Sequence, residues 1–335
     1  MTAVVYARKV SAAPAAEPAA AAAPSLALTV APRWREAERR HHDRVDALLA
    51  GRRERAARGE KHPVEDFLFT YYSLRPARLR RWHPGAGVVL PGAEHGERAG
   101  WRDHHVVRSP AAGTPPDGTL PDGVPAAGVT LDVAAWLARR GDALRHVRDL
   151  LAATAARPLH LSCFGLHEWA MVYRLPADDV RHAGWPLRLG AAGTDDVVES
   201  LRIRCTHHDA FRFFTPAARP LNAVQPRRED QLALEQPGCL HATMDLYKWA
   251  YKLLPAIPSP LVVDAFELAR DVRLLDMRAS PYDLRALGHE PVPIETAEGR
   301  ATYVEQQREF ATRGARLRAT LLAQCEVLLG GPPPR

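Results

Sequence analysis

Lysine is almost missing from this chain: Lys9, Lys61, Lys248 and Lys252 are its only four, and the other 41 of its 45 basic residues are arginine. Such an Ala/Arg/Pro-rich composition follows GC-rich coding, so a formal charge of +6 is compatible with a nucleic-acid partner without demonstrating one. Cysteine is as scarce. Cys163, Cys205, Cys239 and Cys325 lie far apart with no CxxC, which excludes a cysteine zinc cluster and argues against a disulfide scaffold. No run of 18 apolar residues exists, so no membrane-spanning helix and no membrane partner are expected. The start carries Arg8 and Lys9 before an alanine-rich run, but Pro14, Glu17 and Pro18 break that run before it becomes a signal-peptide core. A reducing, cytoplasmic location is the expectation. Also absent are GxGxxG, a Walker loop and GxSxG, which leaves nucleotide-binding and serine-hydrolase readings without support.

What is present points to a mainly α protein with a small β element (α+β). A chain of 335 residues with 46% hydrophobic content can bury a large core. The pattern divides into a disordered Ala/Pro-rich arm (1–30), a single large domain (33–329) and a disordered tail (330–335). A Pro/Gly/Asp-rich stretch at 109–128 reads as a long surface loop. Helical spacing covers 34–58, 131–157 with Asp132 near its start, 238–254, 260–278 and 296–329, the last opening on a cap around Thr296. Alternation in VVESLRIRCTHHDAFRFF predicts a strand or hairpin over 197–214. Fourteen basic residues against eight acids fall in 33–82, a surplus equal to that of the whole chain. Interleaved charges of that kind usually mark a solvated helix face.

The candidates for chemistry are polar residues inside apolar segments, because burying them is costly unless something binds them. His167 and Glu168 interrupt FGLHEWAM, where burial raises a carboxyl towards a general acid or base; a partner such as Arg174 or Arg204 would make the same glutamate structural. His241 and Asp245, at i and i+4 in LHATMDLYKWAYK, suit a metal pair, a base with its orienter, or a buried hydrogen bond. His207, His208 and Asp209 stand together in CTHHDAFRFF. Asp264, Glu267, Asp271 and Asp276 punctuate the 260–278 helix among Arg270, Arg273 and Arg278; the first three, at i, i+3 and i+7, make an acidic stripe or pair with those arginines within the helix. HExxH is absent, since residue 171 is methionine.

Five blocks, KHPVEDFLFTYYSLRPARLRRWHPG, CFGLHEWAMVYR, HHDAFRFFTPAARPLN, EQPGCLHATMDLYKWAYKL and LDMRASPYDL, resemble a group of bacterial, largely actinobacterial, 3-methyladenine DNA glycosylases over 33–329. The chain departs from the helix-hairpin-helix glycosylases: their LPGxGxxTA-type hairpin is missing, and the nearest string is LRLGAAGTDDVV (187–198). The resemblance implies base-excision repair of alkylated purines in damaged double-stranded DNA, with no cofactor. Such an enzyme extrudes a base onto aromatic side chains and supports an oxocarbenium-like transition state with a carboxylate. Glu168, Asp209, Asp245, His241 and His167 are the candidates for the chemistry, and Tyr71, Tyr72, Trp169, Tyr247 and Trp249 for stacking a base. Arg75, Arg78, Arg80 and Arg81 are the candidates for holding phosphates. Two alternatives stay open. One is a helical enzyme using Fe or Mn on a small molecule, with His167, Glu168, His208, His241, Asp245 and Glu267 as ligands. The other is a nucleic-acid-binding protein without catalysis.

Overall fold

In chain order the helices are α1 (Trp34–Leu48), α2 (Ala50–Ala57), α3 (Phe67–Tyr71), α4 (Pro76–Arg80), α5 (Val133–Ala155) and α6 (Leu166–Ala170), then α7 (Gly190–Ser200), α8 (His208–Phe211), α9 (Gln231–Leu234), α10 (Leu240–Lys252), α11 (Ser259–Arg278) and α12 (Ala297–Leu328). These come from a computed structural model that describes residues 26, 28–108, 127–176 and 184–331. Two long helices begin where the sequence offers a side-chain acceptor to the unpaired N–H groups of a first turn. The Asp132 carboxylate accepts from the Ala135 N–H at 2.9 Å to open α5, and the Thr296 hydroxyl accepts from the Gly299 N–H at 3.0 Å to open α12. Helix makes up 56% and strand 7% of the described residues, so the fold there is mainly α with a small sheet.

The main core joins α10, α11, α12 and α5, with α1, α3 and α6 packed onto it. Helix α10 is its axis: every residue from Leu240 to Tyr251 is buried. Each large apolar side chain enclosed there contributes about 1.5–3 kcal/mol, and each polar one must find a partner or cost a comparable amount. Gly314 of α12 is a close-approach position. A Cβ there would sit 3.1 Å from Cγ2 of Thr243 on α10, so a larger residue would push the two helices apart.

The sheet lies elsewhere than the alternation predicts. Four short strands, β1 (Thr29–Val30), β2 (Val88–Pro91), β3 (His104–Arg108) and β4 (Ala127–Leu131), run in the order β1-β2-β4-β3. β1 is parallel to β2 and the other pairs are antiparallel, with Val106 opposite Val129. A smaller cluster of Trp34, Trp82, Leu90, Ala93 and Val129 joins this sheet to α1. Residues 197–214 instead hold the end of α7, an isolated bridge from Ile203 to Asn222, and α8. The buried residues of α7, Thr194, Val197 and Val198, stand at i, i+3 and i+4, so the helical period prevails over the β-branched composition. The expected arm (1–30) ends in a paired strand at Thr29–Val30. Otherwise, apart from residues 26 and 28, it lies outside the described residues, as do most of the 109–128 loop and 332–335. Among the described residues no helix is long and apolar enough to cross a membrane.

Candidate functional site

Three elements converge on the middle of α10. Before α6 the chain turns through Phe164 (φ 48°) and Gly165 (φ 70°), and a bulky residue in the left-handed region costs roughly 1–3 kcal/mol. The turn drives His167 and Glu168 into the core, where they are 2% and 5% exposed. Arg273 of α11 answers Glu168 at 2.6 Å and Asp276 at 2.7 Å. Asp276 also lies 3.0 Å from Nε2 of His167. The partner of Glu168 is therefore Arg273, not Arg174 or Arg204, and Arg174 instead pairs with Glu199 on the surface. His241 of α10 meets His167 edge to face at 4.5 Å between ring centres and stacks on His207 at 5.1 Å.

One turn further along α10 the second half of the network begins. Asp245 Oδ1 accepts from the Tyr72 hydroxyl at 2.6 Å, and Oδ2 accepts from the Lys248 ammonium at 2.7 Å. His207 Nε2 stands 3.4 Å from the same Oδ2, and the buried Glu235 lies close by. His241 and Asp245 share a buried stretch of helix but serve different neighbours, so the expected direct pair does not form. Lys248 then reaches Asp209, at 3.4 Å, whose side chain is one-third exposed. The network thus runs from a sealed core outward to a carboxylate in contact with solvent.

The charge states follow from these partners. Burial would depress the His167 imidazole, but the Asp276 carboxylate overrides it and holds His167 well above its ordinary value. His207 is raised in the same way, with Asp245 outweighing burial. His241 is pushed well down, first by burial and then by the two histidines on either side, and so is a neutral imidazole. Burial would raise both Asp245 and Asp276. The lysine and His207 around the first, and His167 and Arg273 around the second, hold both below the usual carboxylate range. Burial opposes the charge on Lys248, yet Asp245 keeps it an ammonium above its ordinary value. Glu235 moves up, chiefly by burial.

Outside this network lies a cleft of about 860 Å³. Arg75, Arg78, Arg81, Arg102, Arg139, Arg140 and Lys252 line it, against one carboxylate, Asp103. Among the described residues only Arg139 of these seven pairs with a carboxylate, and that carboxylate is Asp103. Trp101, Trp136, Trp249, Tyr72 and Tyr251 supply aromatic walls, with Arg78 over Tyr251 and Arg81 over Trp101. A second pocket of about 400 Å³ shares His146, Trp249 and Lys252 with the cleft and is lined further by His207, His208, Asp209 and Lys248.

The expected site residues therefore separate. Arg75, Arg78 and Arg81 face the cleft, whereas Arg80 is turned away and forms a bidentate pair with Asp46. Tyr72 and Trp249 reach the cleft; Tyr71 borders a small cavity with Glu168, Asp209 and His241. Trp169 and Tyr247 are wholly enclosed, the Trp169 indole donating to the Ala279 carbonyl at 2.8 Å, so neither offers a face to a base. Glu267 is held at the surface with Asp264 by Arg44 and does not join the histidines, while Asp271 pairs with Arg313. His208 sits beside Asp209 in the second pocket. Sequence reasoning missed Arg102, Arg139, Arg140, Trp101, Trp136, Tyr251 and Glu235. The only local signal was the doublet Arg139–Arg140 on the polar face of α5. No family model matches the chain, and neither curated proteins nor solved structures give a match.

Proposed function

We propose that the protein hydrolyses the N-glycosidic bond of an alkylated purine in DNA, with the cleft as the binding surface and Asp209 as the carboxylate. The observation that carries this reading is the adjacency of two spaces. A cationic, aromatic-walled cleft shares His146, Trp249 and Lys252 with the neighbouring pocket that contains Asp209 and Lys248. Guanidinium groups without carboxylate partners are free to displace counterions from phosphates, and stacked aromatics accept an extruded base irrespective of its hydrogen-bonding edge. The sequence resemblance supports the same chemistry.

In this reading a nucleotide leaves the duplex and its base enters the smaller pocket against Trp249. An N3-alkylated purine is already cationic, so its bond to C1′ breaks without strong acid catalysis. Asp209 stabilises the positive charge that develops on the sugar and accepts a proton from the water that bonds to C1′. Lys248, kept an ammonium by Asp245, has no lone pair for attack on C1′, so water is the nucleophile and no imine forms. His207, Asp245 and Tyr72 act as positioning residues: they fix Lys248, which in turn fixes Asp209.

The test is the release of free 3-methyladenine from methylated duplex DNA, measured by chromatography. Wild-type protein is expected to release it. Asp209→Asn is expected to be at least about 100-fold slower while binding DNA equally well, a typical cost of losing a catalytic carboxylate. Borohydride is expected to trap no protein–DNA adduct. Folded wild-type protein that binds DNA but releases no alkylated purine overturns the reading.

A further inference from the structure

His167, His241 and Asp276 are contributed by α6, α10 and α11, so three separate elements must pack correctly to bring them together. One ligand atom from each lies within 4.8 Å of the others, and the residues are 2%, 4% and 0% exposed. Two of these atoms are in an unusual state. His167 Nε2 and Asp276 Oδ1 stand 3.0 Å apart as an ion pair, yet neither atom has a well-directed hydrogen bond. Buried polar atoms are nearly always satisfied, and an orphaned pair needs an explanation. Metal–ligand bonds of about 2.0–2.2 Å place neighbouring ligand atoms roughly 3 Å apart, with their lone pairs aimed at a common point rather than at each other.

The surroundings suit a cation. Arg273 and His167 together face the two carboxylates Glu168 and Asp276, and a cation bound at Nε2 of His167 would take the place of its proton. Its Nη1 binds Asp276 Oδ2 at 2.7 Å, fixing the carboxylate while leaving Oδ1 free, as outer-shell partners of metal ligands do. His241 borders two cavities of about 10 Å³ each, one beside Cys163, Cys205 and Tyr303, the other beside Tyr71, Glu168 and Asp209. Each has room for about one water molecule, so a three-ligand site would keep an open position.

A second group, His207, Glu235 and Asp245, has the same compactness. Both oxygens of Asp245 are already engaged there, by the Tyr72 hydroxyl and by the Lys248 ammonium at 2.7 Å, which leaves no carboxylate oxygen for an ion. We propose that His167, His241 and Asp276 form a mononuclear site for a divalent first-row transition ion, of the two-imidazole, one-carboxylate type that suits iron, manganese or zinc. This assignment is independent of the glycosidic-bond reading and does not use base release as its readout.

The test starts from full-length protein stripped with chelator and dialysed separately against Fe(II) without oxygen, Mn(II), Zn(II) and Co(II), with bound metal measured by elemental analysis. One equivalent per chain is expected for at least one ion. X-ray absorption of the Co(II) form is expected to show two imidazole ligands. His241→Gln, which removes a ligand without breaking an ion pair, is expected to weaken binding by at least about 100-fold. His207→Gln is expected to bind as wild type. Substoichiometric metal for all four ions, a Co(II) spectrum without imidazole, or unchanged binding in His241→Gln overturns the proposal. Loss of binding in His207→Gln with retention in His241→Gln overturns it in favour of the second group.

Discussion

The cleft and the buried network are two ways of holding charge, a few ångströms apart. Within the network each ionised group has a partner at ion-pair distance: Glu168 and Asp276 share Arg273, and Asp245 holds Lys248. Along the cleft wall six of seven cations have no carboxylate partner among the described residues. Charges that are matched internally maintain a shape; charges left unmatched beside solvent wait for a ligand. The same distinction separates neighbours in sequence. Arg80 shares Asp46 with Arg53, while Arg78 and Arg81 either side of it lie over Tyr251 and Trp101 in the cleft.

The largest effect should come from breaking a matched set. Arg273→Met leaves Glu168 and Asp276 buried without their cation, and losses of about 3–5 kcal/mol are usual for such an uncompensated charge. Denaturant unfolding checks this, and a loss below about 1 kcal/mol would mean that the network does not hold the core. Next comes the cleft. Replacing Arg75, Arg78 and Arg81 together by serine should leave stability within about 1 kcal/mol, lower DNA affinity by about 100-fold, and reduce the slope of log K against log salt by about 2–3. Arg80→Ser is the control and should leave that slope unchanged, because its side chain lies outside the cleft, on Asp46.

The smallest effect concerns His83, which lines the cleft but is buried and pushed down to about 3, first by burial and then by His104 and the nearby arginines. The unfolded chain takes up a proton near pH 6.5 and the folded protein does not. Stability therefore falls as pH drops below about 6.5, by up to about 1.4 kcal/mol per pH unit, and the decline ends near pH 3. Between pH 6 and 5 the His83→Asn variant should lose about 1 kcal/mol less than wild type. Cleft affinity should not rise through His83 over that range, since the positive field comes from guanidinium groups.

Legibility from sequence differed between the two regions for a physical reason. The core network shows itself locally, because a charged residue inside an apolar helix stands out; His167, Glu168, His241 and Asp245 are visible in that way, and so are the helices that carry them. Their partners are not visible. Arg273 and Asp276 lie more than a hundred residues from Glu168 and His167 in sequence, within a run of acids of which Asp264, Glu267 and Asp271 turn to other arginines. The cations of the cleft come mostly from exposed positions in and beside α4, in α5, at the end of α10 and in the segment before β3, and an exposed arginine carries no local sign of what it faces. The basic surplus of 33–82 located only three of its seven cations. Most of the other basic residues of that segment are held in ion pairs such as Arg52–Asp66, Arg53–Asp46 and Arg55–Glu65. The sheet escaped notice because its strands are two to five residues long and bounded by Gly and Pro, too short for alternation to register.

The central claim is that the cleft binds and the adjoining pocket reacts. Steady-state release of 3-methyladenine from one methylated duplex, compared between the Arg75/Arg78/Arg81 serine variant and Asp209→Asn, tests it most directly. The arginine variant is expected to raise KM with kcat nearly unchanged, and Asp209→Asn to lower kcat with DNA affinity unchanged. Base release that persists in Asp209→Asn, or an arginine variant that loses kcat while KM stays the same, would contradict it.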